Sequence, residues 1–345
     1  MAAAPKKMVP ANPEELFDPA WLVPALDDLH VDDRVVRVER TDSTKTRAEK
    51  LRFAVTVEGS DGLRVQYYCA KAHLDGSPSS GVISEARFYR DLAPRLDVRR
   101  PRVPYVAIHP DEDAAIILME DVVATGGLFM NPHRTFPVDV ARDSVSQLAR
   151  LHGSTWGFES VDDIGWLGGV RSPVGGMYTA EMLQDLLDDG RADGLPPELR
   201  SGPNLAAALE IHSARPDTCV LHGDPHTGNL YLDAQDRACL FDWEVVQRGN
   251  WSQDLAYHLA TVLSIEDRRA HEQELVRLYL DELAVHGGPT IDPEEGWELY
   301  RRSFAYGYLL WVITKIRGRD EVLAHMPRLA TAISDHDMYH LLGVT

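Results

Sequence analysis

The sequence predicts an α+β fold, with a β-rich N-terminal lobe and a mostly helical C-terminal lobe. Three observations carry that expectation. Before residue 123 the apolar residues alternate in short runs, which is the period of strands. After residue 123 the period lengthens to that of amphipathic helices. No long Pro-, Gly- or Ser-rich stretch divides the two halves, so the lobes are expected to pack closely around a cleft. The expected boundaries are a flexible arm at 1–12, an N-terminal lobe at 13–119, a hinge at 120–123 and a helical lobe at 124–345.

Each element follows from its residues. NPEELFDPAWLVPALDDL (12–29) has Leu16, Trp21, Leu22, Leu26 and Leu29 at roughly helical spacing, interrupted by Pro19 and Pro24. VVRVER (35–40), LRFAVTVEG (51–59) and LRVQYYCAKAH (63–73) carry the β-branched and aromatic alternation of strands. Glu58-Gly59-Ser60-Asp61-Gly62 joins the last two as a hairpin loop. A helix is expected at 83–96, then strands at 101–110 and 114–122. In the C-terminal half helices are expected at 138–156, 179–190, 251–265, 268–286, 293–317 and 320–342. Two β-type runs, DTCVLHGD (217–224) and RACLFDW (237–243), interrupt them.

Composition excludes several classes of function. The formal charge of the 345 residues is −19, which opposes a nucleic-acid or anionic-membrane surface. No run of about 18 apolar residues is present, so no membrane span is expected. The start lacks the apolar stretch of a secretory signal, and a cytoplasmic protein is expected. Cys69, Cys219 and Cys239 lack metal-type spacing and read as small buried hydrophobes. Lysine occurs only at positions 6, 7, 45, 50, 71 and 315, which draws attention to Lys71 within an apolar strand.

The densest chemical signal is His222-Gly223-Asp224-Pro225-His226-Thr227-Gly228-Asn229, followed by Phe241-Asp242-Trp243-Glu244. Phosphoryl transfer from ATP needs a carboxylate facing the acceptor hydroxyl. It also needs a carboxylate and an amide oxygen to hold Mg²⁺ against the phosphates. Asp224, Asn229 and Asp242 are residues of those types. In the N-terminal half, Lys71 in YYCAKAH and Glu85 in the following helix have the order of the lysine–glutamate pair that protein kinases direct at the phosphates. The segment Thr41-Asp42-Ser43-Thr44-Lys45-Thr46, expected as the loop between the first two strands, is rich in hydroxyls and poor in glycine. Ser43 and Thr44 are its candidate phosphate contacts.

HGDPHTGN, FDWE, CAK, SEARFYRDLAP and ILMEDV together resemble the aminoglycoside phosphotransferase family of kinase-like enzymes. That group also contains choline, ethanolamine and homoserine kinases and an ecdysteroid-kinase-like branch. The resemblance runs from about residue 14 to 310. It implies a protein-kinase-like two-lobed fold, ATP and Mg²⁺ as cofactors, and a small-molecule hydroxyl as acceptor. It also implies Asp224 as catalytic base, Asn229 and Asp242 as metal ligands, and Lys71 with Glu85 as the phosphate-binding pair. Met119-Glu120-Asp121-Val122 becomes the adenine-binding hinge, and Asp254 the brace of the catalytic loop. Glu244 stands where eukaryotic members of the ecdysteroid branch often carry Gln.

Gly223 occupies the arginine position of the protein-kinase H-R-D motif, and few residues separate Asp242 from the helix near Trp251. No activation segment fits there, which points to a small-molecule acceptor. Two other readings compete. One is a silent nucleotide-binding pseudokinase; the other is a metallohydrolase built on His222, Asp224 and His226. For the acceptor, the aromatic stretch 297–316 reads as a single helix, with Trp297, Phe304 and Trp311 near one stripe. It favours an apolar alcohol over a polycationic sugar.

Overall fold

The computed structural model describes residues 8–30, 32–45, 48–74, 80–111, 113–158, 164–169, 177–315 and 318–344. The chain divides into two compact units. One comprises the residues up to Arg95 with Arg100–Leu128 and Phe241–Val245; the other comprises Leu96–Arg99, Phe129–Leu240 and Val246 onward.

The first unit begins with two short helices, α1 (Pro13–Leu16) and α2 (Pro19–Ala25). Both start on proline behind a capping side chain, Asn12 and Asp18 respectively. Proline lacks an N–H, and a first helical turn has no use for one, so Pro13 and Pro19 open helices here. Residues 8–12 do not form the expected free arm. Val9 is buried in the core, and the Tyr105 hydroxyl donates to the Met8 carbonyl at 3.0 Å. Residues 1–7 of that arm lie outside the described residues.

Five strands follow, β1 (Arg34–Lys45), β2 (Glu49–Gly59), β3 (Gly62–Ala72), β4 (Tyr105–Ile108) and β5 (Ala115–Glu120). They form an antiparallel sheet in the order β1-β2-β3-β5-β4. Alternation sorts β2 into two rows. Leu51, Phe53, Val55 and Val57 are wholly buried, in a cluster with Tyr68, Ala70, Leu118, Leu16, Trp21 and Leu22. The N-terminal helices therefore cover one face of the sheet. The other face carries Lys71, and α3 (Ser80–Arg87) buries Glu85 and Ala86. Past Arg87 the helix loosens into a π-turn at Phe88–Leu92 and a 3₁₀ turn at Ala93–Arg95.

The chain passes to the second unit near β6 (Leu128–Phe129). Helices α4 (Val138–Ser154), α5 (Ala180–Leu186) and α6 (Gly202–Ser213) lead to three short strands, β7 (Cys219–Leu221), β8 (Leu230–Leu232) and β9 (Ala238–Leu240). β8 and β9 form an antiparallel hairpin, and β10 (Gln247–Gly249) pairs with β7. The unit ends in α7 (Trp251–Val262), α8 (Ile265–Val285), α9 (Pro293–Arg301), α10 (Ala305–Ile313), α11 (Arg319–Asp335) and α12 (Met338–Leu341). Every residue of α7 is buried, so the second unit is built around it.

Three differences from the sequence reading stand out. Helix α6 and strands β8 and β10 were not expected. The helix expected at 293–317 is two helices, because the Arg215 guanidinium takes the Arg302 carbonyl at 2.9 Å and the Ser303 hydroxyl at 2.6 Å. The helix expected at 320–342 breaks at Asp337, which sits at φ 49°. No described helix is long and apolar enough to cross a membrane.

Candidate active site

In the first unit, Lys71 and Glu85 meet as the sequence suggests. Lys71 is buried in β3, and its Nζ donates to Glu85 Oε2 at 2.5 Å. The same nitrogen lies 2.8 Å from Asp242 Oδ1 and 2.8 Å from Glu244 Oε1. Burial opposes a charged lysine, but three carboxylates outweigh it and push the Lys71 pKa well above its ordinary value. Burial is also the largest influence on Glu85 and pushes its carboxyl up, against the pull of Lys71.

Asp242 and Glu244 belong to this unit although they lie far along the chain. Trp243, between them, stacks on Phe88 with ring centroids 3.7 Å apart and planes 11° from parallel. That stack secures Phe241–Val245 beside α3. Asp242 has φ 65°, a left-handed backbone that costs a non-glycine residue about 1–2 kcal/mol. Strain of this kind persists where surrounding contacts enforce it, and it gathers at functional positions.

Glu85, Asp242 and Glu244 place carboxylate oxygens within 4.8 Å of one another. Such an all-oxygen donor set suits a hard cation such as Mg²⁺. Glu244 is the member that sequence reasoning did not place in the site. Its only signal was its place two residues after Asp242, and the left-handed turn at Asp242, which local pattern does not announce, brings the two acids together.

The 41–46 segment differs from expectation. Residues 41–45 continue β1 rather than forming a loop, and Thr46 lies outside the described residues. Thr44 pairs with Lys50, and Lys50 pairs with Lys71, so these three share a face. Ser43 pairs with Leu51, whose row is the buried apolar one, so Ser43 lies on the face opposite Lys71. Met119 and Glu120 close β5 opposite Cys69 and Tyr68. The Glu120 N–H donates to the Arg102 carbonyl at 2.9 Å, and the Val122 carbonyl accepts from Gly127 N–H at 2.6 Å. Asp121 holds this turn from within, accepting from Arg52 Nε at 2.7 Å and Val123 N–H at 3.1 Å.

In the second unit, the loop from β7 to β8 carries Asp224 and Asn229. Asp224 Oδ1 accepts from the Tyr257 hydroxyl at 2.9 Å, and Oδ2 from Asn229 Nδ2 at 3.0 Å. Asn229 Nδ2 also donates to the Asp224 carbonyl at 2.9 Å, closing the loop on itself. Tyr257 is buried beneath it, its phenol pushed well above the ordinary range by burial and by the Asp224 charge. Gly307 of α10 makes room for that ring, since a Cβ there would lie 2.5 Å from it.

Asp254 braces the loop from α7. Its fully buried carboxylate accepts from His222 N–H at 2.7 Å and Gly223 N–H at 3.1 Å. Gly223 has φ 82°, which explains a glycine at that position. His222 and His226 each offer Nδ1 to a backbone N–H of the loop, of Asp224 at 3.3 Å and Gly228 at 3.0 Å. These bonds give both rings a structural use that a metallohydrolase site does not need.

The aromatic stretch divides into two groups. Trp297, Tyr300 and Phe304 gather around His336. Trp311 stacks on His325 with centroids 3.9 Å apart and meets the His226 ring at 5.1 Å. His226 Nε2 in turn lies 3.7 Å from Asp224 Oδ2. Only Trp311, of the three residues expected in one stripe, belongs to the surroundings of Asp224.

Known structures share this architecture. An ethanolamine kinase of Plasmodium vivax aligns with a TM-score of 0.50 at 11% identity, covering 89% of this chain and 83% of its own. The GDP complex of wild-type aminoglycoside 2'-phosphotransferase-IIIa aligns with a TM-score of 0.50 at 13% identity, covering 88% of this chain and 94% of its own. At such identities the likeness is one of fold, and that fold is protein-kinase-like. A search of the curated proteins finds no significant match. The sequence profile of the phosphotransferase enzyme family matches residues 45–292, well over half of the chain. By that match the protein belongs to the phosphotransferase enzyme family.

Proposed function

We propose that the protein transfers the γ-phosphoryl group of ATP, with Mg²⁺, to a hydroxyl of a small molecule. The observation that carries this reading is the buried Lys71, charged and held by Glu85 and Asp242. A lysine so deeply buried costs desolvation, and direct recognition of phosphate gives it a purpose. Asp224 is the proposed base that receives the hydroxyl proton. Asp242, through its carboxylate, and Asn229, through its amide oxygen, are the proposed ligands of Mg²⁺. When bound, the ion would neutralise phosphate charge. The backbone of Met119–Val122 is the proposed adenine contact, with the Glu120 N–H already engaged by Arg102. Thr44, on the face of Lys71, is a better phosphate contact than Ser43.

The surroundings of Asp224 also bear on the acceptor. Tyr257, His226 and Trp311 are aromatic or imidazole groups, which suit an uncharged, partly apolar alcohol better than a polycation.

The test is acceptor-dependent release of ADP across a panel of hydroxyl compounds, with Asp224→Asn beside the unaltered protein. The variant is expected to bind Mg²⁺–ATP normally in calorimetry and to lose about 10²–10⁴-fold in turnover. Unaltered turnover in Asp224→Asn would remove that residue from the base role.

A further inference from the structure

We propose that Lys50 is a second phosphate-binding lysine, directed with Lys71 at the terminal phosphates of the bound nucleoside triphosphate. The inference rests on the ATP reading above and adds to it the residue that handles the polyphosphate from β2.

The first support is what the chain lacks. Thr41–Lys50 contains no glycine, the residue that lets backbone N–H groups approach phosphate most closely, so a side-chain cation is the natural alternative. The second support is register. Lys50 is the direct cross-strand partner of Lys71, and Thr44 is the partner of Lys50 on the other side. Cross-strand partners point to the same face, so the row reads Thr44, Lys50, Lys71. The alternate row, Leu51 with Ala70, is locked in the core, so Lys50 is fixed on the face of Lys71.

The third support is contact. Lys50 Nζ lies 3.7 Å from Asp242 Oδ2 and 5.4 Å from the Phe241 ring centroid. Both lysines thus converge on one carboxylate, but their settings differ. The Lys71 side chain is 1% exposed and the Lys50 side chain 25%. Lys71 is fixed, whereas Lys50 has room to turn from Asp242 to a ligand.

Charge gives the reason for a second lysine. Glu85, Asp242 and Glu244 surround the single ammonium of Lys71, and Lys50 adds a second positive group beside Asp242. A polyphosphate approaching the unrelieved acids would meet like-charge repulsion, and Lys50 is the nearest relief. Among the described residues, its ammonium is held only by the 3.7 Å ion pair with Asp242 and the 5.4 Å approach to the Phe241 ring, contacts that a bound phosphate can replace.

Calorimetry with Mg²⁺ and ATP, ADP or AMP tests this on Lys50→Gln, Lys50→Arg and the unaltered protein. Lys50→Gln is expected to lose about tenfold in affinity for ATP, less for ADP and nothing for AMP, with Lys50→Arg restoring most of the loss. Its melting temperature should match that of the unaltered protein, because the side chain is partly exposed and its apolar neighbours remain. Unchanged ATP affinity in a folded Lys50→Gln would overturn the inference and leave the parent reading standing. An equal loss for AMP would also overturn it, since the effect would not lie at the terminal phosphates. Failure of the unaltered protein to bind ATP would overturn the parent reading and this inference with it.

Discussion

Replacing Asp254 by alanine isolates the brace beneath the loop that carries Asp224. The carboxylate is 0% exposed and accepts from His222 N–H at 2.7 Å and Gly223 N–H at 3.1 Å. A third neighbour is His152 Nε2 at 3.3 Å, also fully buried. The alanine variant leaves two buried backbone donors without an acceptor, at about 1–3 kcal/mol each, or about 2–6 kcal/mol together. Removing a buried charge returns part of this, while loss of the charge-assisted bonds and the space left behind add to it. The expected net cost is about 3–5 kcal/mol of stability. Urea unfolding measures the whole effect, and hydrogen exchange at the amides of His222 and Gly223 locates it. Those two amides should exchange much faster in Asp254→Ala. Asp254→Asn keeps one acceptor oxygen and should fall between the two. A cost below about 1 kcal/mol, with exchange at both amides unchanged, would show that the Asp224–Asn229 bonds hold the loop unaided and that the carboxylate does not brace it.

Tyr257→Phe removes the donor on Asp224 Oδ1 and keeps the ring that Gly307 accommodates. A hydrogen bond to a charged group is worth about 1.5–3 kcal/mol, so turnover on whichever acceptor is found should fall at least about tenfold. The acidic limb of the pH–rate profile should move upward, because the lost donor favoured the ionised carboxylate; an unmoved limb would limit Tyr257 to packing. His212 is buried against Gln253, and burial is the main cause holding its pKa down at about 4. His258, likewise buried, is held at about 4. Both folded values lie below the ordinary value of about 6.5, so the unfolded chain takes up protons first as pH falls. Stability should therefore be lost between about pH 6.5 and 4, at up to about 1.4 kcal/mol per pH unit for each histidine. His212→Gln should show a shallower slope, and an identical slope would exclude His212 as a contributor.

Much of the site was legible because its parts are close in sequence or fixed by simple periods. Asp224 and Asn229 sit five residues apart on one loop, and their mutual bonds follow from that spacing. Lys71 and Glu85, fourteen apart, lie on a strand and on the helix next after it in sequence, and they meet. The illegible parts depend on contacts between distant residues. Phe88 stacks on Trp243, and no local pattern in either segment announces the other. Nothing in the helical pattern of 251–265 marks Tyr257, and only the fold shows its hydroxyl on Asp224. The break between α9 and α10 comes from Arg215, which competes for a carbonyl that the helix would otherwise use. Helical periodicity runs through that break unchanged, so the aromatic stretch read as one piece. The placement of Ser43 failed for a smaller reason. Its segment was read as a loop, where side chains have no fixed alternation, and it proved to be strand.

That alternation makes β2 tolerant of one kind of genetic change and intolerant of another. Substitutions at Lys50 or Thr56 alter what the protein presents to its ligands or to water, while Leu51, Phe53, Val55 and Val57 stay in place. Insertion or deletion of one codon within the strand has a different outcome. It would turn the apolar side chains on one side of the change outward and drive their polar neighbours into the space vacated. Descendants of this sequence can therefore retune recognition by point changes along β2, whereas changes in its length must fall in the turns at either end.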